Sequence, residues 1–351
     1  MLQISNEARA LLRSEVGGRL GAIEQLIDVS RVKAADGLAE GEDLLLVSNP
    51  QGFSVELEID RCLDIGRASA ANLPISWISG CGRVASARTS SLGSDWVRSF
   101  GGGLLTTCGM LATGMPSVDM GREFGLHGRV GALPSSNVVA ELVMNAGRTC
   151  EELECCDWRS RLSLRVRGEV VEYSLGGEWL RLQRELRFAL DRPLIEIIDT
   201  VTNDGFESVE HMFRHHINLG YPLVQEGTTV SSNAVFLGVR ESSPSAIDVL
   251  PVQLREEPAP EGVSYFLPPS DGSACVVNVE AAEVGKVRVS FDSEDWKILI
   301  LWRDPSPGRN VLAVEPSTSR DGGRADARVQ GELVHLDPGE SRTYRTLIER
   351  C

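Results

Sequence analysis

Three segments that lie far apart in the sequence place titratable side chains among glycine and proline residues, where the backbone can turn a side chain into a cleft. The first segment, residues 100–129, is rich in glycine and contains His127. The second, residues 211–223, holds three of the chain's five histidines, and the third ends an apolar run with Glu315. A carboxylate and an imidazole in one site can act as general base and general acid at neutral pH. The sequence therefore indicates acid–base chemistry where the fold brings these segments together.

The second segment contains the adjacent pair His215 and His216. Neighbouring side chains of a strand point to opposite faces, so only one of the two is expected to address a common cleft. We choose His216, which begins the pattern H-x-N-x-G-x-P with Asn218 as its asparagine. Taken alone, Glu315 is equally typical of a strand-end carboxylate that faces solvent. The combination of the three segments favours a shared cleft.

A run of three glycines, Gly101 to Gly103, raises the question of a phosphate-binding loop. It matches neither G-x-G-x-x-G nor G-x-x-x-x-G-K-[ST] between a strand and a helix. Glycine also permits tight strand packing or the close approach of backbone to a ligand. We therefore expect neither a nucleotide nor another cofactor.

The net charge of the chain limits its partners. Fifty acidic residues against 35 basic ones give a formal charge of −15, which repels nucleic-acid phosphates and acidic lipid surfaces. The N-terminus lacks the basic start and apolar run of a secretory signal, and no stretch approaches the roughly 18 apolar residues of a membrane span. We expect a cytoplasmic protein that binds neither nucleic acid nor membrane, and we leave its oligomeric state open.

The eight cysteines are scattered along the chain. They form no C-x-x-C pair, and no histidine stands at zinc-finger spacing. We interpret them as reduced, mostly buried thiols and expect no bound metal. The adjacent Cys155 and Cys156 leave a metal site or a redox pair open, beside the ordinary strand or loop that such a pair more often occupies.

Hydrophobic periodicity predicts one short helix followed by many strands. Apolar residues in 6–20 stand at helical spacing after Ser5 or Asn6 as a cap. From there on the pattern is extended, with a hairpin whose turn contains Gly176 and Gly177. Strands are predicted at 44–47, 54–59, 138–144, 162–173, 179–190, 194–201, 274–279, 287–291, 297–301, 311–314 and 343–348.

Strands without intervening helices favour antiparallel sheets over a doubly wound parallel sheet. The sequence therefore predicts an all-β protein built from antiparallel sheets. We divide it into an N-terminal helical extension, residues 1–30, and a single β-sandwich domain, residues 31–351. The proline-rich stretch 242–269 is interpreted as a long surface excursion of one sheet, with a linker between halves as the alternative.

Four motifs resemble a known family. They are R-C-L-D-I-G-R at 61–67, F-G-G-G-L-L-T-T-C-G followed by G-L-H-G-R at 100–129, H-I-N-L-G-Y-P at 216–222, and V-E-P-S-T with the later L-D-P-G-E-S-R. In this order they resemble the DUF4432 branch of the aldose 1-epimerase-like proteins, from about residue 45 to the C-terminus. The resemblance implies the galactose mutarotase-like β-supersandwich fold and a carbohydrate-active isomerase that interconverts sugar anomers without metal or cofactor.

The same resemblance implies roles for individual residues. Mutarotases use one histidine as general acid, another to bind the sugar near its ring oxygen, and a late glutamate as general base. These correspond here to His216, His127 and Glu315. The N-H-x-Y-F context of typical galactose enzymes is absent from this chain, which leaves the sugar and the reacting carbon open.

Further residues are expected to surround a sugar. Arginine and carboxylate side chains recognise hydroxyl groups, and arginine also suits an acidic or phosphorylated sugar. Among aromatic residues that could stack on the sugar, Trp302 is preferred, although core packing is the commoner role of a tryptophan. The predicted substrate-binding residues are His127, Arg61, Arg129, Asp119, Asn218 and Trp302. For Asp64 and Arg67 a structural ion pair is at least as good an interpretation.

The sequence leaves open three alternatives to an isomerase that interconverts anomers. A noncatalytic carbohydrate-binding protein would keep the cleft and lose the chemistry. An epimerase or isomerase acting at another sugar carbon would use the same acid–base pair. A metal enzyme would use His127, His216 and Glu315 as two histidines and one carboxylate, but the chain lacks any compact metal-binding spacing.

Overall fold

The computed structural model of the chain describes residues 2–49, 53–145, 157–241, 243–244 and 255–351. Within these residues the chain forms 23 β-strands and two α-helices. The helices are α1 (Asn6–Glu15) and α2 (Arg324–Gln330). The strands are β1 (Gln3–Ile4), β2 (Asp28–Lys33), β3 (Asp43–Asn49), β4 (Phe53–Glu58), β5 (Asp64–Ala70), β6 (Leu73–Pro74), β7 (Leu105–Met110), β8 (Ser117–Asp119), β9 (Arg122–Phe124), β10 (Ser136–Met144), β11 (Leu162–Tyr173), β12 (Trp179–Ala189), β13 (Leu194–Asn203), β14 (Val209–Leu219), β15 (Thr229–Ser232), β16 (Val235–Val239), β17 (Gly262–Leu267), β18 (Cys275–Ala281), β19 (Gly285–Phe291), β20 (Ile298–Asp304), β21 (Val311–Ser317), β22 (Val334–Leu336) and β23 (Ser341–Arg350).

Two large sheets and one small hairpin contain these strands. A nine-stranded sheet has the order β1-β10-β11-β12-β13-β23-β19-β18-β15. A twelve-stranded sheet has the order β16-β17-β20-β21-β14-β7-β5-β4-β3-β2, with β22 paired to β14 and β6 to β5. Of the described pairings between these strands, only β1 with β10 is parallel. The prediction of an all-β protein with antiparallel sheets is confirmed.

The two sheets share one hydrophobic core. Strand β11 alternates buried residues with partly buried or exposed ones along most of its length, and β12 does the same, as a strand with one buried face must. Their inward side chains join residues such as Leu57, Phe213 and Ile217 of the larger sheet in a single cluster. The opposite face of the larger sheet carries a smaller cluster around Val263 and Ile300. This second face is where the predicted chemistry lies.

Helix α1 is shorter than predicted. It begins after Ser5, whose Oγ accepts a hydrogen bond from the backbone N–H of Ala8 at 3.2 Å, and such a cap satisfies an otherwise unpaired donor. It ends at Glu15, just before the glycine pair at 17–18, because glycine is unfavourable in helices. Ala8 and Leu11 are buried in the common core of the two sheets.

The strand predicted at 311–314 is longer in the structure. Strand β21 continues through Pro316 to Ser317, so Glu315 lies inside a strand of the larger sheet rather than at its end. Pro316 pairs in register with Leu299 of β20. Glu315 is 2% exposed. The interpretation of Glu315 as a solvent-facing residue at a strand end is therefore wrong.

Other predictions fall partly outside the described residues. Cys150, Cys155 and Cys156 lie there, and so do residues 242 and 245–254 of the proline-rich stretch. The described end of that stretch contains β17, a strand of the larger sheet. In the described ranges, no helix is long and apolar enough to cross a membrane.

Candidate active site

Strand pairing brings His216 and Glu315 together. Strands β14 and β21 are antiparallel, with Ile217 opposite Val314, so His216 stands directly opposite Glu315 and both side chains lie on the same face. The distance from His216 Nε2 to Glu315 Oε1 is 3.3 Å. The two candidate acid–base groups are thus direct neighbours.

Arg214 lies on the same face as His216, because the two residues are two positions apart along β14. Its Nη1 donates to Glu315 Oε2 at 3.0 Å, and its Nε donates to Ser317 Oγ at 3.2 Å. The side chain is only 1% exposed. A buried cation is therefore in contact with the candidate base.

His127 reaches the site from the loop that follows β9. Its backbone is left-handed, with φ of 59°. Its backbone N–H donates to the carbonyl of Gly114 at 2.9 Å, and its Nδ1 accepts the N–H of Gly114 at 3.4 Å. Accepting at Nδ1 leaves the N–H of the neutral ring at Nε2. The ring centroid lies 5.6 Å from that of His216.

Steric crowding explains why the residue after His127 in the L-H-G motif is glycine. Gly128 has a positive φ of 74°, and a Cβ atom there would collide with the carbonyl oxygens of Gly109 and Ala112. Only glycine lets this loop lie against the end of β7. The motif thus fixes the position of His127 beside the sheet. The earlier glycine run serves packing as well, since a Cβ on Gly103 would lie 2.8 Å from the carbonyl oxygen of Ile65.

These groups line a cavity of about 310 Å³, at the small end of the range for ligand sites. Aromatic side chains form much of its wall. The ring of Trp302 lies 5.5 Å from that of His216, and Trp96 lies 4.5 Å from His127 and stacks on Phe100 at 4.2 Å. Flat rings of this kind suit the C–H face of a small polar ring.

The cavity lining also carries paired charges. Arg240 donates to Asp321 Oδ2 at 3.1 Å and also contacts Glu261. Trp302 Nε1 donates to Glu261 Oε2 at 2.8 Å, and the hydroxyl of Tyr265 donates to Asp321. Both cavity arginines therefore have carboxylate partners. The cavity offers hydrogen-bonding groups without a free cation among its described residues.

Burial shifts the titration of the central groups. It raises the pKa of Glu315 to about 7, and the adjacent Arg214 limits the rise. Burial, followed by the Arg214 cation, lowers the pKa of His216 to about 3. Burial, Arg214 and His216 all lower the pKa of His127. In the free site at neutral pH both histidines are neutral, and the proton of the central pair lies on Glu315 when it is present.

His215 points away from the cavity into the core between the sheets. Its Nε2 lies 2.7 Å from Asp199 Oδ2, and its Nδ1 lies 3.0 Å from Thr346 Oγ1. Asp199 is also paired with Arg184 at 2.6 Å, and Arg184 with Asp64 at 2.6 Å. Adjacent histidines thus face opposite sides of the sheet, as the alternation predicts. Asp64 belongs to a structural ion pair.

Several predicted binding residues lie elsewhere. Arg61 donates to the carbonyl of Val84 at 3.0 Å and lines a separate small cavity, which shares Phe100 with the main one. Asp119 is paired with Arg324 and Arg328, at 3.0 and 2.7 Å. These groups have protein partners distant in sequence, which no local motif reveals.

Two further residues also lie outside the cavity lining. Arg129 is exposed and lines a neighbouring groove with Glu172. Asn218 is buried, and its Nδ2 donates to the carbonyls of Gly103 and His216, at 3.1 and 3.0 Å. Asn218 therefore supports the strand that carries His216. Of the predicted set, the structure brings together His127, His216, Glu315 and Trp302.

The sequence interpretation missed Arg214, Arg240, Glu261 and Asp321. Only Arg214 could have been found from the sequence. Side chains two positions apart in a strand lie on the same face, so Arg214 is expected on the face of His216. The others depend on how β17 and the loops next to β16 and β21 meet at the cavity. Within the described residues, no group of three or more His, Cys, Asp or Glu side chains is arranged to hold a metal ion.

Solved structures share this fold. A "putative aldose 1-epimerase" from Klebsiella pneumoniae superposes with a TM-score of 0.79 at 22% identity, over 92% of this chain and 83% of that one. A Synechocystis sp. protein gives 0.61 at 16% identity, over 91% and 99%. A galactose 1-epimerase from Lactobacillus acidophilus gives 0.55 at 11% identity, over 93% and 99%. The galactose mutarotase-like fold is thereby confirmed.

No curated protein is significantly similar to the chain in sequence. The family described as a domain of unknown function, DUF4432, matches residues 39–349. Because this match spans most of the sequence, the protein belongs to the DUF4432 family.

Proposed function

We propose that the protein is an aldose 1-epimerase, which interconverts the α and β anomers of a small aldose by opening and closing its ring. The observation that carries this proposal is the contact between His216 Nε2 and Glu315 Oε1, 3.3 Å apart, at the wall of a cavity lined by aromatic rings. Anomer exchange needs one group that takes a proton and one that gives a proton at neighbouring oxygens of the sugar.

The reaction balances with these two groups alone. Glu315 takes the proton of the C1 hydroxyl, the bond between C1 and the ring oxygen breaks, and His216 gives its proton to the ring oxygen. The sugar is then an open-chain aldehyde. Rotation about the C1–C2 bond presents the other face of C1, and the two proton transfers run in reverse. Positioned acid and base groups contribute about 10²- to 10⁴-fold each.

One proton on the pair is enough for a full cycle. Ring opening leaves the proton on Glu315, and ring closure returns it to His216. Burial raises the pKa of Glu315 to about 7 and lowers that of His216 to about 3, so between these values the pair holds a single proton. The ring-opening step uses the form of the pair with this proton on His216, which the proton reaches from Glu315 across the 3.3 Å contact between Oε1 and Nε2.

Other cavity groups are suited to holding the sugar. The Nε2–H of neutral His127 is a donor for the ring oxygen or a hydroxyl. Asp321 and Glu261 are acceptors, and the aromatic wall provides an apolar surface. Since Arg214 and Arg240 are both paired with carboxylates, a neutral sugar fits the cavity better than an acidic or phosphorylated one.

The proposal is tested by exchange NMR between α and β anomeric signals across a panel of neutral, acidic and phosphorylated aldoses. We expect protein-dependent exchange with a neutral aldose, lowered by about 10²- to 10⁴-fold in Glu315→Gln. Saturable binding without exchange for every sugar would contradict the proposal and indicate a binding protein. Conversion to a different sugar, with no anomer exchange, would instead place the reaction at another carbon.

A further inference from the structure

The side chain of Arg214 contacts the candidate base and is itself held in place by burial and hydrogen bonds. It is 1% exposed, and its Nη1 donates to Glu315 Oε2 at 3.0 Å. The rest of the guanidinium is fixed by Ser317 Oγ at 3.2 Å and by the carbonyl of Arg320 at 3.4 Å. These contacts hold Oε2 of Glu315 and leave Oε1 on the side of His216.

The two oxygens of Glu315 therefore have different partners. Oε2 accepts from Arg214, while Oε1 lies 3.3 Å from His216 Nε2. The carboxylate plane is fixed by a cation on one side and an imidazole on the other. A base held in this way presents the same oxygen in every turnover, which is what positioned proton transfer requires.

The charged groups that face Glu315 come from several elements. Arg214 and His216 lie on β14, and Asp321 follows β21. Glu261, which precedes β17, raises the pKa of Glu315 together with Asp321, whereas Arg214 lowers it. Among the groups that shift the pKa of Glu315 most, Arg214 is the cation. The titratable groups that line this cavity are Arg214, His216, His127, Arg240, Glu261, Glu315 and Asp321, and Tyr265 donates to Asp321 from beside it.

We propose that Arg214 is the positioning residue of the acid–base pair, which orients the Glu315 carboxylate and sets how the single proton is divided between Glu315 and His216. This inference rests on the proposed function. The direct hydrogen-bonded ion pair favours the carboxylate, since an interaction of opposite charges grows as their separation falls. Without it, a buried carboxyl surrounded by Asp321 and Glu261 would hold its proton and would not act as a base.

The test compares Arg214→Gln with Arg214→Lys. Glutamine removes the cation, so we expect the pKa of Glu315 to rise by about 1–3 units and the high-pH fall of kcat/KM to move upward with it. Lysine keeps the charge but not the planar, multidentate geometry. In Arg214→Lys the high-pH fall of kcat/KM should therefore stay near that of the wild type. Its kcat should fall at least tenfold, and its KM should change less.

The titration of Glu315 is also measured without substrate, by carbon-13 NMR of side-chain-labelled glutamate, with Glu315→Gln assigning the signal. This readout separates the two proposals, because it reports on Arg214 even if no sugar is epimerised. A matched control is Arg303→Gln. Arg303 is equally buried but donates to the carbonyls of Asp304 and Val311 rather than to a carboxylate.

We expect the Arg303 variant to leave the titration of Glu315 unchanged. An Arg214→Gln protein that is folded by circular dichroism and titrates at Glu315 like the wild type would overturn the inference. An Arg214→Lys protein with wild-type kcat would overturn the orienting role. If Arg214→Gln does not fold, Arg214→Lys alone tests the orienting role. A kcat that falls much more than KM changes supports that role, and an unchanged kcat overturns it.

Discussion

His216 and Glu315 stand opposite each other on neighbouring antiparallel strands, with His216 Nε2 3.3 Å from Glu315 Oε1. Each is nearly inaccessible to bulk water, at 4% and 2% exposure. Burial makes both charged forms expensive, so the pair favours sharing one proton over separating charges. Acid and base are thus parts of one titrating unit.

The first prediction concerns the base. Glu315→Gln should lower the rate of anomer exchange by about 10²- to 10⁴-fold, because an amide cannot take the C1 hydroxyl proton. The similar shape of the amide should preserve folding and much of the sugar affinity. Exchange NMR gives the rate, and titration calorimetry gives the affinity.

The matched control for this variant is Glu261→Gln, which alters another carboxylate of the same cavity without contact to His216. Glu261 is paired with Arg240 and Trp302, so its loss should weaken sugar binding and leave most of the turnover. Near-normal exchange in Glu315→Gln would remove Glu315 as the base.

The second prediction is the pH dependence of kcat/KM. Burial raises the pKa of Glu315 to about 7 and lowers that of His216 to about 3. Between these values the pair holds one proton; above about 7 it holds none, so the pair has no proton to transfer to the ring oxygen. Activity should therefore be highest on the acid side of 7 and fall about tenfold per pH unit on the alkaline side.

This profile is measured by exchange NMR after subtraction of the spontaneous rate at each pH. Two independent groups at ordinary pKa values would also lose activity on the alkaline side, but they would lose it on the acid side through the glutamate value of about 4.3, whereas the shared-proton pair stays active down to about 3. A rate that rises from pH 7 to pH 9 would contradict the mechanism.

Much of the fold could be predicted from sequence, because strand periodicity is a local property. The alternation along β11 and β12 and the glycine pair at 176–177 give a hairpin whose strands the structure confirms. Helix α2 gives no such signal: it has only seven residues, and its ends are set by Gly323 and by the left-handed Gly331.

The candidate site was predictable only in part. The three segments containing His127, His216 and Glu315 meet at one cavity, and their glycine and proline surroundings were a usable signal. Arg61 was expected beside them, yet it bonds to Val84, 23 residues away. Which charged residue pairs with which is decided by long-range packing, and periodicity carries no information about that.

The third prediction tests the position of Arg61. Arg61→Gln should lower the free energy of unfolding by about 1–3 kcal/mol, since the variant loses the hydrogen bond to the Val84 carbonyl and the ion pair with Glu58 at 3.7 Å. Its kcat and KM for the sugar should remain within about twofold of the wild type. Urea unfolding measures the stability, and exchange NMR measures kcat and KM. A tenfold higher KM at unchanged stability would show that Arg61 contacts the substrate.

The last prediction concerns the buried ion pairs beneath the site. Arg184 is 1% exposed and contacts Asp64 and Asp199, each at 2.6 Å. Although burial opposes ionisation, Arg184 and the hydrogen bonds around it lower the pKa of Asp199 to about 2. Arg184→Met should therefore leave carboxylates buried without a cation and lower the free energy of unfolding by about 3–5 kcal/mol.

A neighbouring arginine on the same strand provides the control. Arg181 is paired with Asp204 at the surface, with exposed fractions of 27% and 22%, so Arg181→Met should cost about 1 kcal/mol or less. Because Asp199 also contacts His215, the residue next to His216, the Arg184 variant should in addition loosen β14. Amide hydrogen exchange along β14 checks this. Protection that stays at wild-type level in a destabilised Arg184→Met protein would show that the core ion pairs stabilise the sheets without positioning the acid–base pair.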